Sequence, residues 1–134
     1  MAAWRGLASG ATRRRWLFVG AMLGALLVAS VVRPPGAESA ATGWLPPSAW
    51  FHAAGYAGVT LVLSYALRAA RDDWRRLLGA FACATVVGAG IELVQMGLPY
   101  RTFSVGDVLV NAAGAALAVV GWRLGGPRSD PSER

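Results

Sequence analysis

Hydrophobic residues fall in four long blocks along this chain, at roughly residues 16–32, 50–67, 77–98 and 107–124. Each block approaches the roughly 20 residues that an α-helix needs to cross the hydrocarbon core of a bilayer. None shows the short alternating segments of a membrane β-barrel, and backbone inside lipid must satisfy its own hydrogen bonds. The pattern predicts an all-α, polytopic integral membrane protein, a bundle of four transmembrane helices spanning residues 16–124.

The charge distribution predicts how these helices are oriented. The chain has 134 residues, is 55% hydrophobic and carries a net charge of +6, and all 13 of its basic residues are arginine. Most of them lie before the first block, in the 68–76 loop and at the end of the fourth block: Arg5, Arg13, Arg14, Arg15, Arg68, Arg71, Arg75, Arg76, Arg123, Arg128 and Arg134. By the positive-inside rule, the middle loop and both termini are cytoplasmic. Residues 1–15 are then a basic cytoplasmic tail and residues 125–134 a polar cytoplasmic tail.

The basic charge is therefore a topology signal that also suits anionic lipid head groups. The lipid bilayer is the predicted partner, and no soluble domain remains to bind nucleic acid. The sequence predicts no particular oligomeric state. An alternative interpretation of the first block is a cleaved signal, because TRRRWLF at 12–18 resembles a twin-arginine export signal. Cleavage would leave three spans with the carboxyl terminus still cytoplasmic.

Polar residues interrupt the blocks near their predicted outer ends, within the stretch 92–111 and at the start of the second block. Several are spaced three or four apart and so share a helix face, as do Glu92 with Gln95 and His52 with Tyr56. A lipid-facing carboxylate costs about 2.5 to 3.5 kcal/mol, so these faces are expected to pack together. We predict a polar pocket open to the outside, formed by His52, Tyr56, Glu92, Gln95, Arg101, Asp107 and Asn111.

Several of these residues also have structural interpretations. Ser104 and Asp107 fit the S-x-x-D capping pattern and could simply close the first turn of the fourth helix. Arg101 could neutralise Glu92 in a structural ion pair, and His52 with Tyr56 could form an interfacial belt.

Two pairs of small residues, Gly20 with Gly24 and Gly114 with Ala118, have the small-xxx-small spacing that lets helices approach closely. We interpret both pairs as packing positions.

Motifs for cofactor chemistry do not occur in the sequence. It has no CxxC pair, histidine cluster, metal-ligand spacing or phosphate-binding GxxxxGK[ST] loop. The single cysteine, Cys83, leaves no disulfide within the chain. We predict neither a metal site nor a cofactor.

The polar residues carry a family resemblance as well. Glu92, Gln95, Pro99, Arg101, Asp107, Asn111 and Gly114 resemble the ExxQ, PxR, D and NxxG signature of the VanZ-like family, and His52 with Tyr56 resembles its HxxxY motif. The resemblance runs from about Ser48 to Val120. One departure is that Ser48 and Ala49 stand where the family often has Asp-Lys. The resemblance implies a small multi-pass protein of the bacterial plasma membrane, of the class linked to resistance to the glycopeptide teicoplanin.

Three functions follow as hypotheses. The first and favoured one is a non-enzymatic envelope protein whose pocket binds a polar lipid head group or cell-wall precursor, with Arg101 holding an anionic group. The second is an intramembrane enzyme that modifies such a molecule, with His52 or Glu92 as general base and Arg101 stabilising negative charge. The third is a proton-coupled carrier, disfavoured because the blocks hold no ionisable residue in their inner halves.

Overall fold

The computed structural model describes residues 10–32, 47–99 and 104–129. The described part of the chain is helical, with four α-helices and no strand: α1 Gly10–Val31, α2 Pro47–Ala66, α3 Trp74–Gln95 and α4 Val105–Gly125. Each helix coincides with one of the four apolar blocks to within a few residues, apart from the start of α1. That helix begins at Gly10, so residues 10–15 of the predicted basic tail are helical.

The four helices alternate in direction, as contacts at both ends of the bundle show. Gln95 at the end of α3 bonds to the carbonyl of Ser30 at the end of α1. Near the start of α2, His52 contacts Asn111 near the start of α4. We call this the polar end. At the opposite, basic end, Arg15 of α1 lies over the Tyr65 ring near the end of α2.

Helix α2 occupies the centre of the bundle. It packs most extensively against α4 and also contacts α1 and α3, whereas α1 has few contacts with α3. Its buried face includes polar groups at every fourth position, namely His52, Tyr56, Thr60 and Ser64. The Thr60 and Ser64 hydroxyls donate to main-chain carbonyls one turn earlier, at 2.8 Å each. The lower half of this polar stripe, Thr60 and Ser64, is therefore satisfied within α2 itself.

The outward faces of the bundle are strongly apolar. Large side chains such as Leu17, Val28, Val86, Leu117 and Leu124 are all well exposed, an arrangement that suits lipid rather than water. By length and composition, α1, α3 and α4 are apolar enough to cross a membrane. Helix α2 has 20 residues, is not among these three candidate spans, and carries the buried polar stripe. The chain is thus built as a membrane protein.

Glycines permit the closest helix approaches in the bundle. A methyl group on Gly114 of α4 would collide with the main-chain carbonyl of Ala53 on α2. The predicted role of Gly114 in packing is therefore confirmed, and Ala118 is buried on the same helix. The bundle shows no such close approach at Gly20 and Gly24, where a methyl group would meet nothing within 4 Å among the described residues.

Candidate functional site

The candidate site at the polar end is centred on the imidazole of His52. Its Nδ1 lies 3.1 Å from the side-chain oxygen of Asn111. Because an amide oxygen only accepts hydrogen bonds, this bond requires a proton on Nδ1. The imidazole and Asn111 are both buried, so α2 and α4 are joined here by a hydrogen bond shielded from solvent.

Two carboxylates lie on either side of this ring. Glu92 of α3 approaches Nδ1 at 3.9 Å and Asp107 of α4 approaches Nε2 at 4.0 Å. The Glu92 side chain is 1% exposed, whereas that of Asp107 is 27% exposed and forms the accessible edge of the cluster. Both separations exceed a direct hydrogen bond. The ring therefore lies between two acidic groups without a direct hydrogen bond to either one.

Tyr56 lies one helical turn below His52 and extends the cluster into the bundle. Its ring stacks on the imidazole, with centroids 6.5 Å apart and an angle of 7° between planes. At the polar end, two buried donors have no hydrogen-bond partner among the described residues: the Tyr56 hydroxyl and Asn111 Nδ2. Buried polar groups are normally satisfied.

Gly88 of α3 provides the space for these two side chains. A methyl group there would lie 3.1 Å from Asn111 Nδ2 and 3.1 Å from Tyr56 Cε1. The absence of a side chain at this position lets α3 approach both residues closely. Gly88 had no signal in the sequence beyond its position one turn before Glu92.

Ser104 and Asp107 have two separate roles at the start of α4. Ser104 is the N-cap residue, and its hydroxyl accepts a hydrogen bond from the main-chain N–H of Asp107 at 3.1 Å. The predicted cap is therefore confirmed, and it uses the backbone of Asp107. The carboxylate of Asp107 remains directed to His52, so the capping and site interpretations are compatible.

Gln95 differs from the other predicted site residues. Its side-chain nitrogen donates to the main-chain oxygen of Ser30 at 2.9 Å, and both residues are buried. Gln95 thereby fastens α3 to the end of α1. Arg101 lies outside the described residues.

The structure thus brings together His52, Tyr56, Glu92, Asp107 and Asn111, which come from three helices. Burial of His52 and Tyr56 inside the bundle does not fit the alternative in which they form an interfacial belt.

Comparison with known proteins identifies the family of the chain. The family model described as VanZ/LLP1 matches residues 35–125, more than half of the chain. The chain belongs to the VanZ/LLP1 family. All seven predicted site residues lie inside the range that matches the VanZ/LLP1 family, as do Gly88 and Gly114. No curated protein and no solved structure showed significant similarity to the chain.

Three residues of this VanZ/LLP1 protein could also approach a metal ion. His52, Glu92 and Asp107 each offer one ligand atom, and these atoms lie within 4.8 Å of one another. Ligand atoms on one zinc ion are at most roughly 4.4 Å apart, because each bond is about 2.0 to 2.2 Å long. The side chains would have to move together slightly to share a cation. Since they come from three helices, spacing along the sequence could not reveal this set, and the predicted lack of a metal stays a prediction.

Proposed function

We propose that this VanZ/LLP1 membrane protein of the bacterial cell envelope binds a polar lipid head group or cell-wall precursor in an outward-facing pocket at the polar end. In this proposal all four helices span the plasma membrane, including α2, and both termini are cytoplasmic. The arginine distribution supports that orientation. The link to teicoplanin resistance would then be an indirect effect of ligand capture.

The observation that carries the proposal is the convergence of donors and acceptors from three helices on one buried spot. His52 is bonded to Asn111 and flanked by two carboxylates. Tyr56 and Asn111 supply buried donors with no partner in the described structure. A cluster built only for stability would be expected to satisfy such donors internally. Their presence favours a ligand that accepts hydrogen bonds.

The partly exposed Asp107 supports entry from the side of the membrane where α4 begins. Its side chain is 27% exposed, compared with 1% for Glu92. A ligand with hydroxyl or ammonium donors would meet Asp107 first and reach the imidazole next. Arg101, three residues before the N-cap residue of α4, would hold an anionic part of the same ligand.

A second candidate function is an enzyme that modifies such a molecule by acid–base chemistry. Asp107 beside Nε2 and Asn111 beside Nδ1 favour it, because a general base needs a partner that orients its ring. His52 would accept a proton from a substrate hydroxyl, and Asp107 would stabilise the resulting imidazolium. Lipid and muropeptide profiles separate the two functions, since only the enzyme changes covalent species.

The test uses a deletion strain complemented with wild-type protein, His52→Gln or Thr60→Val. Gln at residue 52 keeps a donor for Asn111 but removes the imidazole. Thr60→Val is the matched control, because the Thr60 hydroxyl bonds only within α2. We expect His52→Gln to reach normal abundance but to lose the teicoplanin or envelope phenotype, and Thr60→Val to retain it. Equal phenotypes for wild type and His52→Gln, at equal abundance, would contradict a ligand site at the polar end.

A further inference from the structure

A second feature with binding chemistry lies at the basic end of the bundle, opposite to the His52 cluster. A cavity of about 700 Å³ is bordered there by the start of α1, the turn between α2 and α3, and the segment after α4. This volume falls in the range of roughly 300 to 1,000 Å³ that small-molecule sites occupy. Its charged lining consists of Arg15, Arg68, Arg76, Arg128 and Asp73.

Positive charge exceeds negative charge around this cavity. Asp73 is already engaged, since its carboxylate lies 3.2 Å from Arg76 Nε and accepts a hydrogen bond from the Arg76 main chain. Among the residues described, Arg15, Arg68 and Arg128 form no ion pair. The charges of these three guanidinium groups are thus not paired with a carboxylate in the described structure, and their planar forks match the oxygens of a phosphate group.

Arg68 stands at a position that glycine would occupy with less strain. It has φ 53°, the left-handed conformation. Its N–H donates to the Tyr65 carbonyl at 3.1 Å, and the N–H of Ala69 donates to the Ser64 carbonyl at 2.9 Å. This is the Schellman arrangement that ends many helices, usually with glycine at the left-handed residue. An arginine here carries a backbone cost without improving the cap, which points to a role for its guanidinium.

Arg15 provides a donor that is buried and still available. Its guanidinium lies over the Tyr65 ring, 5.3 Å from the centroid, which fixes its position beside the cavity. The Nε atom is buried and has no hydrogen-bond partner among the described residues. A bound phosphate oxygen would satisfy it.

Hydrogen bonds hold the walls of the cavity together. The indole N–H of Trp122 in α4 donates to the Ala69 carbonyl at 3.0 Å. The main-chain N–H of Arg71 donates to the Pro127 carbonyl at 2.7 Å. The segment after α4 is therefore fastened to the turn that carries Arg68, so the arginines are held in place before a ligand binds.

We propose that this cavity is an anion site for a phosphate group, separate from the polar end and independent of its function. Two sources share the chemistry: the phosphodiester of an anionic phospholipid in the adjacent leaflet, and a soluble phosphate compound. Basic pockets between membrane helices commonly bind anionic head groups.

The experiment compares the full-length protein with two double variants. Arg68→Gln with Arg128→Gln removes two charges from the cavity lining. Arg13→Gln with Arg75→Gln removes two exposed charges near the same end that do not line the cavity, and it serves as the matched control. In the lipid arm, each protein is released from nanodiscs of equimolar phosphatidylglycerol and phosphatidylcholine, and retained lipids are counted by native mass spectrometry. In the soluble arm, delipidated protein is titrated with inorganic phosphate while thermal unfolding is followed.

If the ligand is a lipid, wild type and control should retain phosphatidylglycerol, and the cavity variant should retain at least about tenfold less. The reason is that each basic group near an anionic head group raises the affinity for that lipid about fivefold. A soluble source predicts no selective lipid retention, but stabilisation by phosphate in wild type and control only. If the cavity variant matches the control in both arms, or if wild type shows neither effect, the proposal is overturned. Should the cavity variant fail to fold, Arg128→Gln alone, outside the helices, must show the same selective loss.

Discussion

The two ends of the bundle hold ionisable groups in opposite ways. At the polar end, His52 and Glu92 are buried between helices, and the ring has acidic or amide neighbours on both sides. At the basic end, Arg68 and Arg128 are exposed around a cavity and have no ion-pair partner in the described structure. Burial of charge demands close partners, whereas exposed arginines keep their hydration. The polar end therefore depends on accurate helix packing, whereas the basic end depends on exposed charged side chains.

The largest loss of stability is expected from a change that pushes α4 away from α2 at the polar end. Gly114→Ala places a methyl group against the Ala53 carbonyl, with the Ala53 carbonyl carbon and Cα each only 2.8 Å away. Backbone cannot rotate aside as a side chain can, so we expect a loss of about 3 kcal/mol in the free energy of unfolding. This loss is measured by unfolding the wild type and the variant in mixed micelles.

Gly20→Ala in α1 is the control for this change. Nothing among the described residues lies within 4 Å of the added methyl group, and alanine favours helix by up to about 1 kcal/mol. The two substitutions should therefore change stability in opposite directions. Equal destabilisation by both substitutions would show that stability does not depend on the close approach of Gly114 in α4 to Ala53 in α2.

The two roles at the start of α4 can be separated by a second pair of variants. Ser104→Ala removes the N-cap hydroxyl and should lower stability by about 1 kcal/mol while leaving the ligand-dependent phenotype intact. Asp107→Asn keeps the capped N–H and should change stability by only about 0.5 kcal/mol, the size of a charge effect at a helix start, yet lose the phenotype. Membrane abundance and drug susceptibility are measured together. If Asp107→Asn instead lowered stability and kept the phenotype, the Asp107 side chain would act in the cap alone.

The smallest effect is expected at the basic end. Because Arg68 has φ 53°, Arg68→Gly should be more stable than Arg68→Ala by about 1 kcal/mol. Arg75 lies within α3, so there the order should reverse, with Arg75→Gly less stable than Arg75→Ala by a similar amount. Thermal unfolding of the four variants tests this difference in sign. Identical rankings at both positions would contradict the left-handed turn.

Much of the helical arrangement was predictable from the sequence. The apolar blocks predicted four helices because lipid-facing helices leave long uninterrupted runs of hydrophobic residues. The blocks did not predict that α1 begins at Gly10, since an arginine run lowers hydropathy without preventing helix formation. Hydropathy also could not show that α2 is central. Its contacts with all three other helices show that position. The buried hydroxyls of Thr60 and Ser64, which bond within α2, were also missed.

The candidate site was predictable as a set of residues but not as a geometry. Helical spacing placed His52 and Tyr56 on one face, and both are buried together in the structure. It could not show that Gln95 bonds to the end of α1, because that contact joins residues 65 positions apart. Spacing likewise treated Gly20 and Gly114 alike. Only the three-dimensional structure shows that Gly20 has open space beside it and that Gly114 lies where α4 crosses α2.

The central claim is that Glu92 and its neighbours serve a ligand rather than only the fold. The most direct test is the set Glu92→Gln, Arg101→Gln and the double variant, scored for membrane abundance and for the teicoplanin or envelope phenotype. If Glu92 and Arg101 were only a structural ion pair, each single change would lower abundance by stranding the other charge, and the double change would restore abundance and phenotype together. We predict instead that the double variant reaches near-normal abundance with its phenotype still lost, because neutral amides cannot hold an anionic group. Full recovery of the phenotype in the double variant would contradict the binding-site account.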